Sequence, residues 1–367
     1  MSLWRIAATA FLSGTLGLLS TSCGSSRPMS SPPLHPHQLL TPASLIPRGS
    51  WETKAPTPPA TVSGVPQTTT STSSTTSPTP ANCGPVSGYQ PIAGGRVMLV
   101  RSPGTAVRRP ALIMLHGYTA TSEGEEAVSG WTSFFAGTDV LVAYPEGSPT
   151  SVSGYGWATG ASKLATTGTD DVSVVLEAVS VLINQDCADP AKIVIAGESN
   201  GSALALEVAC DSRSAGRAVL FALAIPAVDD NVLAKCTSAQ PFPLLVMAGA
   251  LDQTVPIGGA PIGTVGFTAP KQWFNQLATG LQGCSGSANT EAPDAIHLSY
   301  SACNGRSDFF QIADGHHTWP GGPVGAGGLN PGTFPGKSVV WCRSGIAVQP
   351  PPAACASVLT TYGLNST

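Results

Sequence analysis

The chain has 367 residues, a net charge of −4 and only 10% charged residues, and 42% of its residues are hydrophobic. This length predicts one large domain or two small ones, and the charge excludes the basic footprint of a nucleic-acid-binding protein. Nine cysteines without a Cys-x-x-Cys pair favour disulfides in an exported protein over a metal site.

Residues 1–22 have the pattern of an export signal, because Arg5 precedes an apolar run that is too short to predict a membrane span. Cys23 follows this run, and the junction resembles the signal of a bacterial lipoprotein, in which the cysteine carries lipid after cleavage. Lipidation of Cys23 would leave eight of the nine cysteines to pair. The alternative is a plain secretory signal that contains a cysteine.

Residues 23–82 are dominated by Ser, Thr and Pro and contain few large apolar side chains. Such a segment buries too little surface to offset the entropy of ordering, so it is predicted to be a disordered tether. The composition changes at Cys83, and we expect a single folded domain over residues 83–367, with no internal repeat.

Within this domain, apolar runs alternate with segments of helical spacing. Strands are predicted at 96–101, 111–115, 140–143, 192–196, 219–225, 244–248, 297–300 and 309–312, and helices at 123–135, 170–183, from 200 onward and at 270–278. The alternation predicts an α/β fold with a mostly parallel, doubly wound sheet and helices on both faces. The Gly- and Pro-rich tail from Val324 gives no clear prediction.

The strand predicted at 192–196 ends in Gly197-Glu198-Ser199-Asn200-Gly201, and an alanine- and leucine-rich run follows. In this strand–turn–helix context, Gly-x-Ser-x-Gly predicts a nucleophile elbow. The glycines let strand and helix pass close together, and the helix start aims N–H groups at an anion beside Ser199. The alternative is an ordinary Gly-Ser turn.

A serine hydroxyl needs a base in contact with it, and the base needs a carboxylate that orients it. In a doubly wound hydrolase the acid and then the histidine follow the serine along the chain. Asp252 follows the strand at 244–248, and His316 and His317 follow the strand at 309–312. Spacing alone leaves both histidines open, and an Asx turn is the alternative role for Asp252.

An oxyanion hole needs two amide donors. We expect one from Asn200 and the second from Tyr118, with Thr119 as the alternative, because these residues follow strand ends at the same edge of the sheet. His116 is expected to bond backbone rather than to transfer protons. Asp170 and Asp171 are expected to cap a helix and anchor a loop.

Several motifs together resemble the secreted esterases that group with polyhydroxybutyrate depolymerases and feruloyl esterases, a branch of the α/β-hydrolases. They are Leu115-His116-Gly117-Tyr118, Tyr144-Pro145-Glu146-Gly147, Asp170-Asp171-Val172, the Ser199 motif, Gly249–Pro256 and His317-Thr318-Trp319-Pro320-Gly321-Gly322. The resemblance covers roughly residues 83–322. It implies an α/β-hydrolase fold and His317 as the base, with His316 as the alternative.

The aromatic residues Trp157 and Trp319 are candidates for shaping a substrate pocket, and ordinary packing is the alternative for both. We favour the disulfide pairs Cys284–Cys303 and Cys342–Cys355. Cys210–Cys236 comes next, which leaves Cys83–Cys187. Eight cysteines allow about 105 arrangements, so the sequence does not determine the pairing.

The expected function is an exported, lipid-anchored serine esterase that uses Ser199, His317 and Asp252 and needs no metal or organic cofactor. Its substrates would be small, oligomeric or aromatic-acyl esters, including cell-wall polysaccharide esters or polyester oligomers. We expect a monomer that meets the membrane only through its N-terminal lipid. A polyhydroxyalkanoate depolymerase and a non-catalytic binding lipoprotein on the same fold are the alternatives.

Overall fold

A computed structural model of the chain describes residues 83–103, 107–160, 168–262, 265–323, 325, 328–348 and 355–364. The predicted export signal, Cys23 and the whole predicted tether of residues 23–82 therefore lie outside the described residues. None of the described helices combines the length and apolar character needed to cross a membrane.

The described strands are numbered in chain order. They are β1 Val86–Pro91, β2 Val97–Ser102, β3 Arg109–Leu115, β4 Leu141–Pro145, β5 Ser148–Pro149, β6 Tyr155–Gly156, β7 Ala188–Glu198, β8 Leu220–Ala224, β9 Leu244–Gly249, β10 Ala260–Ile262, β11 Val265–Phe267, β12 Ser285–Glu291, β13 Ala295–Ala302 and β14 Ser307–Ile312. The helices are α1 Ser122–Ser129, α2 Trp131–Phe134, α3 Asp171–Asn184, α4 Asn200–Cys210, α5 Asp230–Ala234, α6 Pro270–Gln276, α7 Gly336–Ser344 and α8 Cys355–Thr361.

Within the described residues, ten strands form one sheet in the order β1-β2-β4-β3-β7-β8-β9-β14-β13-β12. The six strands from β4 to β14 in this order run parallel to one another. At one side β2 and β1 extend the sheet by antiparallel pairing, and at the other side β13 and β12 do the same. The carboxyl ends of the parallel strands therefore meet at one edge of the sheet, where β3, β7, β9 and β14 deliver the segments predicted to carry the site.

Successive side chains of the central strands are buried on opposite faces of the sheet. In β7, Ile195 belongs to a core shared with α3, α4 and α6, whereas Val194 belongs to a second core shared with α2 and α7. Each core contains a fully buried tryptophan, Trp273 in the first and Trp341 in the second. A parallel sheet must be covered on both faces, so near-continuous apolar runs form its strands. The predicted doubly wound α/β architecture is confirmed.

The predicted helix at 123–135 is two helices, α1 and α2, separated by Gly130. Gly130 ends α1 in the left-handed conformation with φ 65°, and a Cβ at this position would meet the Pro323 ring at 2.6 Å. Thr121 caps the start of α1 by accepting the Gly124 N–H. The single-helix prediction was wrong because a glycine with positive φ ends a helix.

Four disulfides cross-link the described domain: Cys83–Cys187, Cys210–Cys236, Cys284–Cys303 and Cys342–Cys355. They are the four pairs expected from the sequence. The tail forms α7 and α8, which the last disulfide joins. Arg343 of α7 also donates to Asp308 of β14 at 2.6 Å and so fastens the tail to the sheet.

Candidate active site

Ser199 lies on the sharp turn between β7 and α4, with φ 52° and ψ −113°. A positive φ is strained for a serine and persists only where the surroundings hold it. The Ser199 N–H donates to Ala224 O at 3.0 Å, and its carbonyl accepts from Ala227 N at 3.2 Å, so β8 and the segment after it hold the turn on both sides.

The glycines of the motif serve close backbone approach. A Cβ on Gly197 would overlap the Gly201 carbonyl, and a Cβ on Gly201 would overlap the carbonyl of Leu115 at the end of β3. Only glycine therefore fits where strand, turn and helix converge. The predicted steric reason for the two glycines agrees with this geometry.

The structure brings Ser199, His317 and Asp252 into one line of contacts. Nε2 of His317 lies 2.9 Å from Oγ of Ser199, and Nδ1 of His317 lies 2.8 Å from Oδ2 of Asp252. The Asp252 side chain is 1% exposed and the His317 side chain 16%. An ionised Asp252 accepts from Nδ1–H, which leaves Nε2 free to take a proton from the serine hydroxyl.

Asp252 also forms the Asx turn that was its alternative role. Its Oδ1 accepts the N–H groups of Thr254 and Val255, each at 2.8 Å. The two roles use different oxygens of one carboxylate, so they do not compete.

The histidine loop, residues 314–322, packs directly on the loop that carries Asp252. The Leu251 N–H donates to Gly315 O at 2.9 Å, and a Cβ on Gly249 would overlap the same carbonyl. Lys337 donates to Gly321 O at 2.8 Å and to Ser129 O at 3.1 Å, which ties the far end of the loop to α1. These contacts set His317, not His316, against Ser199.

Residues 116–119, called the oxyanion loop here after their predicted role, lie against the serine turn. A Cβ on Gly117 would be 3.6 Å from Cβ of Ser199, and Thr119 has a positive φ of 66°. No acceptor for the Tyr118 or Asn200 amide N–H is found in the described part of the chain. Asn200 follows Ser199 directly, and Tyr118 follows Gly117, which approaches Ser199, so both amides belong to segments beside the serine.

The Asn200 side chain has a role that the sequence did not reveal. Its Oδ1 accepts the Trp157 N–H at 2.7 Å, and its Nδ2 donates to Thr159 Oγ1 at 2.9 Å and to Trp157 O at 3.3 Å. Asn200, the second variable position of Gly-x-Ser-x-Gly, therefore fixes the segment after β6 beside the serine turn.

Trp157 and Trp319 are both fully buried. The Trp157 indole donates to His116 O at 2.8 Å, and the Trp319 ring packs edge-on against Trp131 with centroids 5.5 Å apart. This burial favours the packing alternative for both rings over direct contact with a ligand.

His116 is buried and bonds backbone, as expected. Its Nδ1 lies 2.8 Å from Gly117 O, and its Nε2 accepts the Gly147 N–H at 3.0 Å. Burial lowers the pKa of His116 to about 4, so the ring is neutral near pH 7. It joins the oxyanion loop to the end of β4.

Asp170 and Asp171 have the roles of cap and anchor. Asp170 accepts the Ser173 N–H at 3.0 Å at the start of α3. Asp171 accepts the Ala158 N–H at 2.6 Å and pairs with Arg96 at 2.5 Å. Asp171 and Asn200 therefore hold adjacent residues of the same segment, Ala158 and Trp157.

Two buried carboxyl groups near the site were missed. Glu198, directly before Ser199, and Glu125 of α1 are 6% and 2% exposed. The available signal was a charged residue, Glu198, directly after the apolar run at 193–197.

The strand order and the serine turn between the β7 strand and the α4 helix define an α/β-hydrolase fold. Within it, the contacts among Ser199, His317 and Asp252 have the arrangement used by serine hydrolases.

No family model matches the chain. Among curated proteins it is similar to Feruloyl esterase B of Piromyces equi, with 27% identity over 204 residues, which are 53% of this chain and 37% of that protein. The chain thus spans little more than a third of the length of this relative. Solved structures similar to it include an acetyl xylan esterase from Aspergillus awamori, with TM-score 0.45 and 14% identity over 61% of this chain and 89% of that one. Esterase PE8 is also similar, with TM-score 0.40 and 16% identity over 65% of this chain and 93% of that one. Scores below 0.5 add nothing to the fold assignment, which rests on the strand order.

Proposed function

We propose that this protein is an exported serine esterase that hydrolyses carboxylic esters. The observation that carries the proposal is the line of contacts from Ser199 Oγ to His317 Nε2 at 2.9 Å and from His317 Nδ1 to Asp252 Oδ2 at 2.8 Å. The similarity to a feruloyl esterase supports the same class of reaction.

In the first half of the reaction, Ser199 Oγ attacks the ester carbonyl carbon while its proton passes to His317 Nε2. The carbonyl oxygen becomes an oxyanion, and the amides of Asn200 and Tyr118 donate to it. The imidazolium then gives its proton to the leaving alkoxide, which departs as an alcohol and leaves an acyl-serine.

In the second half, His317 takes a proton from water, and the resulting hydroxide attacks the acyl-serine carbonyl. The same amides stabilise the second oxyanion. His317 returns its proton to Ser199 Oγ as the carboxylic acid leaves. Asp252 stays ionised throughout and holds the Nδ1–H tautomer of His317.

For substrates we propose small, oligomeric or aromatic-acyl esters, including feruloyl esters of cell-wall polysaccharides. The name of the similar feruloyl esterase supports the aromatic acyl group. Polyester oligomers are the second class to test, because the sequence also resembles polyhydroxybutyrate depolymerases.

Export is proposed from the signal pattern at residues 1–22, and four disulfides are compatible with an oxidising compartment. Anchoring through lipid on Cys23 is a separate proposal. A Cys23→Ala variant should move from the membrane fraction to the soluble exported fraction. Unchanged partitioning would remove the lipid anchor from the proposal.

The enzyme proposal is tested with a fluorophosphonate probe, which reacts with activated serines. We expect labelling of the wild type, none of Ser199→Ala, and full labelling of Ser180→Ala, which changes a serine on α3. Folded wild type that resists the probe would point instead to a binding protein on a hydrolase fold.

Substrate class is tested by comparing p-nitrophenyl acetate and butyrate with methyl ferulate and a polyhydroxybutyrate film. We expect turnover of the soluble esters and little clearing of the film. Rapid clearing of the film would replace the proposed substrate class with that of a polyester depolymerase.

A further inference from the structure

Two buried glutamates lie behind the serine turn, and neither has a role in the reaction described above. Each leaves one carboxyl oxygen buried without a protein hydrogen-bond partner in the described residues, Oε1 of Glu125 and Oε2 of Glu198. A buried carboxylate oxygen without a partner or a cation is costly. The cost falls if one carboxyl is protonated and donates to the other.

Each glutamate reaches the backbone of a loop that forms the site. A backbone hydrogen bond links the Glu198 carboxyl to Trp319 of the histidine loop, and another links the Glu125 carboxyl to Gly117 of the oxyanion loop. Gly117 itself lies against Ser199, because a Cβ added to Gly117 would be 3.6 Å from Cβ of Ser199. The two carboxyls thus stand between the loops on either side of the serine.

The electrostatics favour a shared proton. Burial raises the pKa of Glu198 to about 8, and the nearby Asp252 charge adds to the increase. Burial, followed by the charge of Glu198, raises the pKa of Glu125 well above its usual range. Two neighbouring carboxyls cannot both ionise cheaply, so they titrate as a unit.

The other ionisable groups around the pair do not neutralise it. The charge of Asp252 raises the pKa of Glu198 further and does not offset its burial, and His317 contacts the Asp252 carboxylate. The Lys337 ammonium group donates to the carbonyls of Ser129 and Gly321 rather than to either glutamate.

We propose that Glu125 and Glu198 form a proton-sharing carboxyl pair that holds the oxyanion loop and the histidine loop in place around Ser199. They are positioning residues, and the inference rests on the proposed esterase function. With one proton, one carboxyl donates a hydrogen bond to the other, and each glutamate keeps its backbone contact, Glu198 to Trp319 and Glu125 to Gly117. With none, two adjacent negative charges repel and the loops separate.

The test compares the variants Glu198→Gln, Glu125→Gln and Glu198→Ala with the wild type, using kcat and KM for a p-nitrophenyl ester from pH 5 to pH 10. Wild-type kcat should fall on the alkaline side as the pair loses its proton. Glutamine cannot ionise and can still bond both ways, so each Gln variant should keep kcat near neutral pH and lose that alkaline decline.

Glu198→Ala removes the contact to Trp319 and should lower kcat tenfold to a hundredfold, on the order expected for a misplaced catalytic group, with little change in KM. Glu177→Gln, an exposed glutamate on α3, is the control and should match the wild type at every pH. The inference would be overturned if Glu198→Gln and Glu125→Gln kept the wild-type decline of kcat at alkaline pH, or if Glu198→Ala had the kcat of the wild type.

A stability measurement separates this inference from the esterase proposal. Because the Glu198 pKa is raised on folding from its ordinary value to about 8, its contribution to stability is lost as the pH rises through this range. Chemical unfolding of Ser199→Ala with and without Glu198→Gln should show a steeper loss of stability between about pH 4.5 and pH 8 when glutamate is present. Equal slopes would refute the pair whether or not the protein is an esterase. If stability depends on pH as expected but the fluorophosphonate probe does not label the protein, the esterase proposal is contradicted. The inference that Glu125 and Glu198 form a carboxyl pair would then still stand.

Discussion

One carboxylate of Asp252 serves two neighbours at once: Oδ2 lies 2.8 Å from Nδ1 of His317, and Oδ1 accepts two backbone N–H groups of its own loop. The two backbone contacts hold the Asp252 side chain in one rotamer independently of its contact with His317. The ring of His317 is therefore oriented by a carboxylate that is itself held in place.

Asp252→Asn should leave the protein folded and almost inactive. Asparagine can still accept the Thr254 and Val255 N–H groups through its Oδ1, but its amide favours the wrong tautomer of His317. We expect kcat for a p-nitrophenyl ester to fall by roughly 10³ to 10⁴, the scale seen when a triad aspartate becomes asparagine. The melting temperature should change little.

Asp229→Asn is a matched control for this prediction. Asp229 also accepts two backbone N–H groups, from Asn231 and Val232 at 3.0 Å each, whereas the carboxylate that lies against His317 is that of Asp252. Its kcat should stay close to that of the wild type. Equal losses in the two variants would mean that loop structure, and not the histidine, accounts for the effect.

Asn200→Ala should cost both stability and rate, because the side chain makes three hydrogen bonds to Trp157 and Thr159. Buried hydrogen bonds of this kind contribute about 1 kcal/mol each, so we expect a loss of about 2–4 kcal/mol in the free energy of unfolding. Urea denaturation measures it. Asn231→Ala, at an exposed position on α5, should lose less than about 0.5 kcal/mol. A loss that small at Asn200 would contradict the anchoring role.

Buried His116 should make the protein sensitive to acid. Its pKa is lowered on folding from 6.5 to about 4, so the unfolded chain binds a proton first as the pH falls. The resulting stability is fully present above pH 6.5 and is lost as the pH approaches 4, by about 3 kcal/mol in total. In urea titrations from pH 7.5 to pH 4.5, His116→Gln should lose less stability than the wild type over this range. Parallel curves would show that His116 does not set the acid limit.

The buried Asp308 joins three parts of the chain. It pairs with His297 at 3.0 Å and with Arg343 at 2.6 Å, and Arg343 also donates to Leu364 O at 3.2 Å. Removing one member of a buried ion pair leaves an uncompensated charge, so Asp308→Asn should destabilise the protein by about 3–5 kcal/mol.

Thermal unfolding and limited proteolysis of the tail measure this effect. Asp189→Asn breaks the more exposed pair with Lys192 at 3.2 Å and should cost less than about 1 kcal/mol. If Asp308→Asn is no more destabilised than Asp189→Asn, the pairing of tail and sheet contributes little.

The sequence predicted the central strands well because their burial on both faces requires continuous apolar runs such as Ala111–Leu115 and Leu244–Ala248. It did not predict β1 and β12, which are edge strands with alternating or exposed side chains. An edge strand is specified by its partner more than by its own composition. The helices α7 and α8 were missed for a related reason, since a disulfide and Arg343 hold them to the rest of the domain.

Local sequence by itself determined the serine turn, the order of serine, acid and histidine, and the strand ends from which they come, because these depend on short-range sterics and on strand periodicity. Spacing left His316 and His317 open and the family resemblance implied His317, and tertiary structure places His317 against Ser199. Only tertiary structure decided that Trp157 and Trp319 are buried, and that Glu125 and Glu198 are buried against the loops that carry the site. Such contacts join residues far apart in the chain, and spacing carries no information about which way a side chain points once the loops have packed.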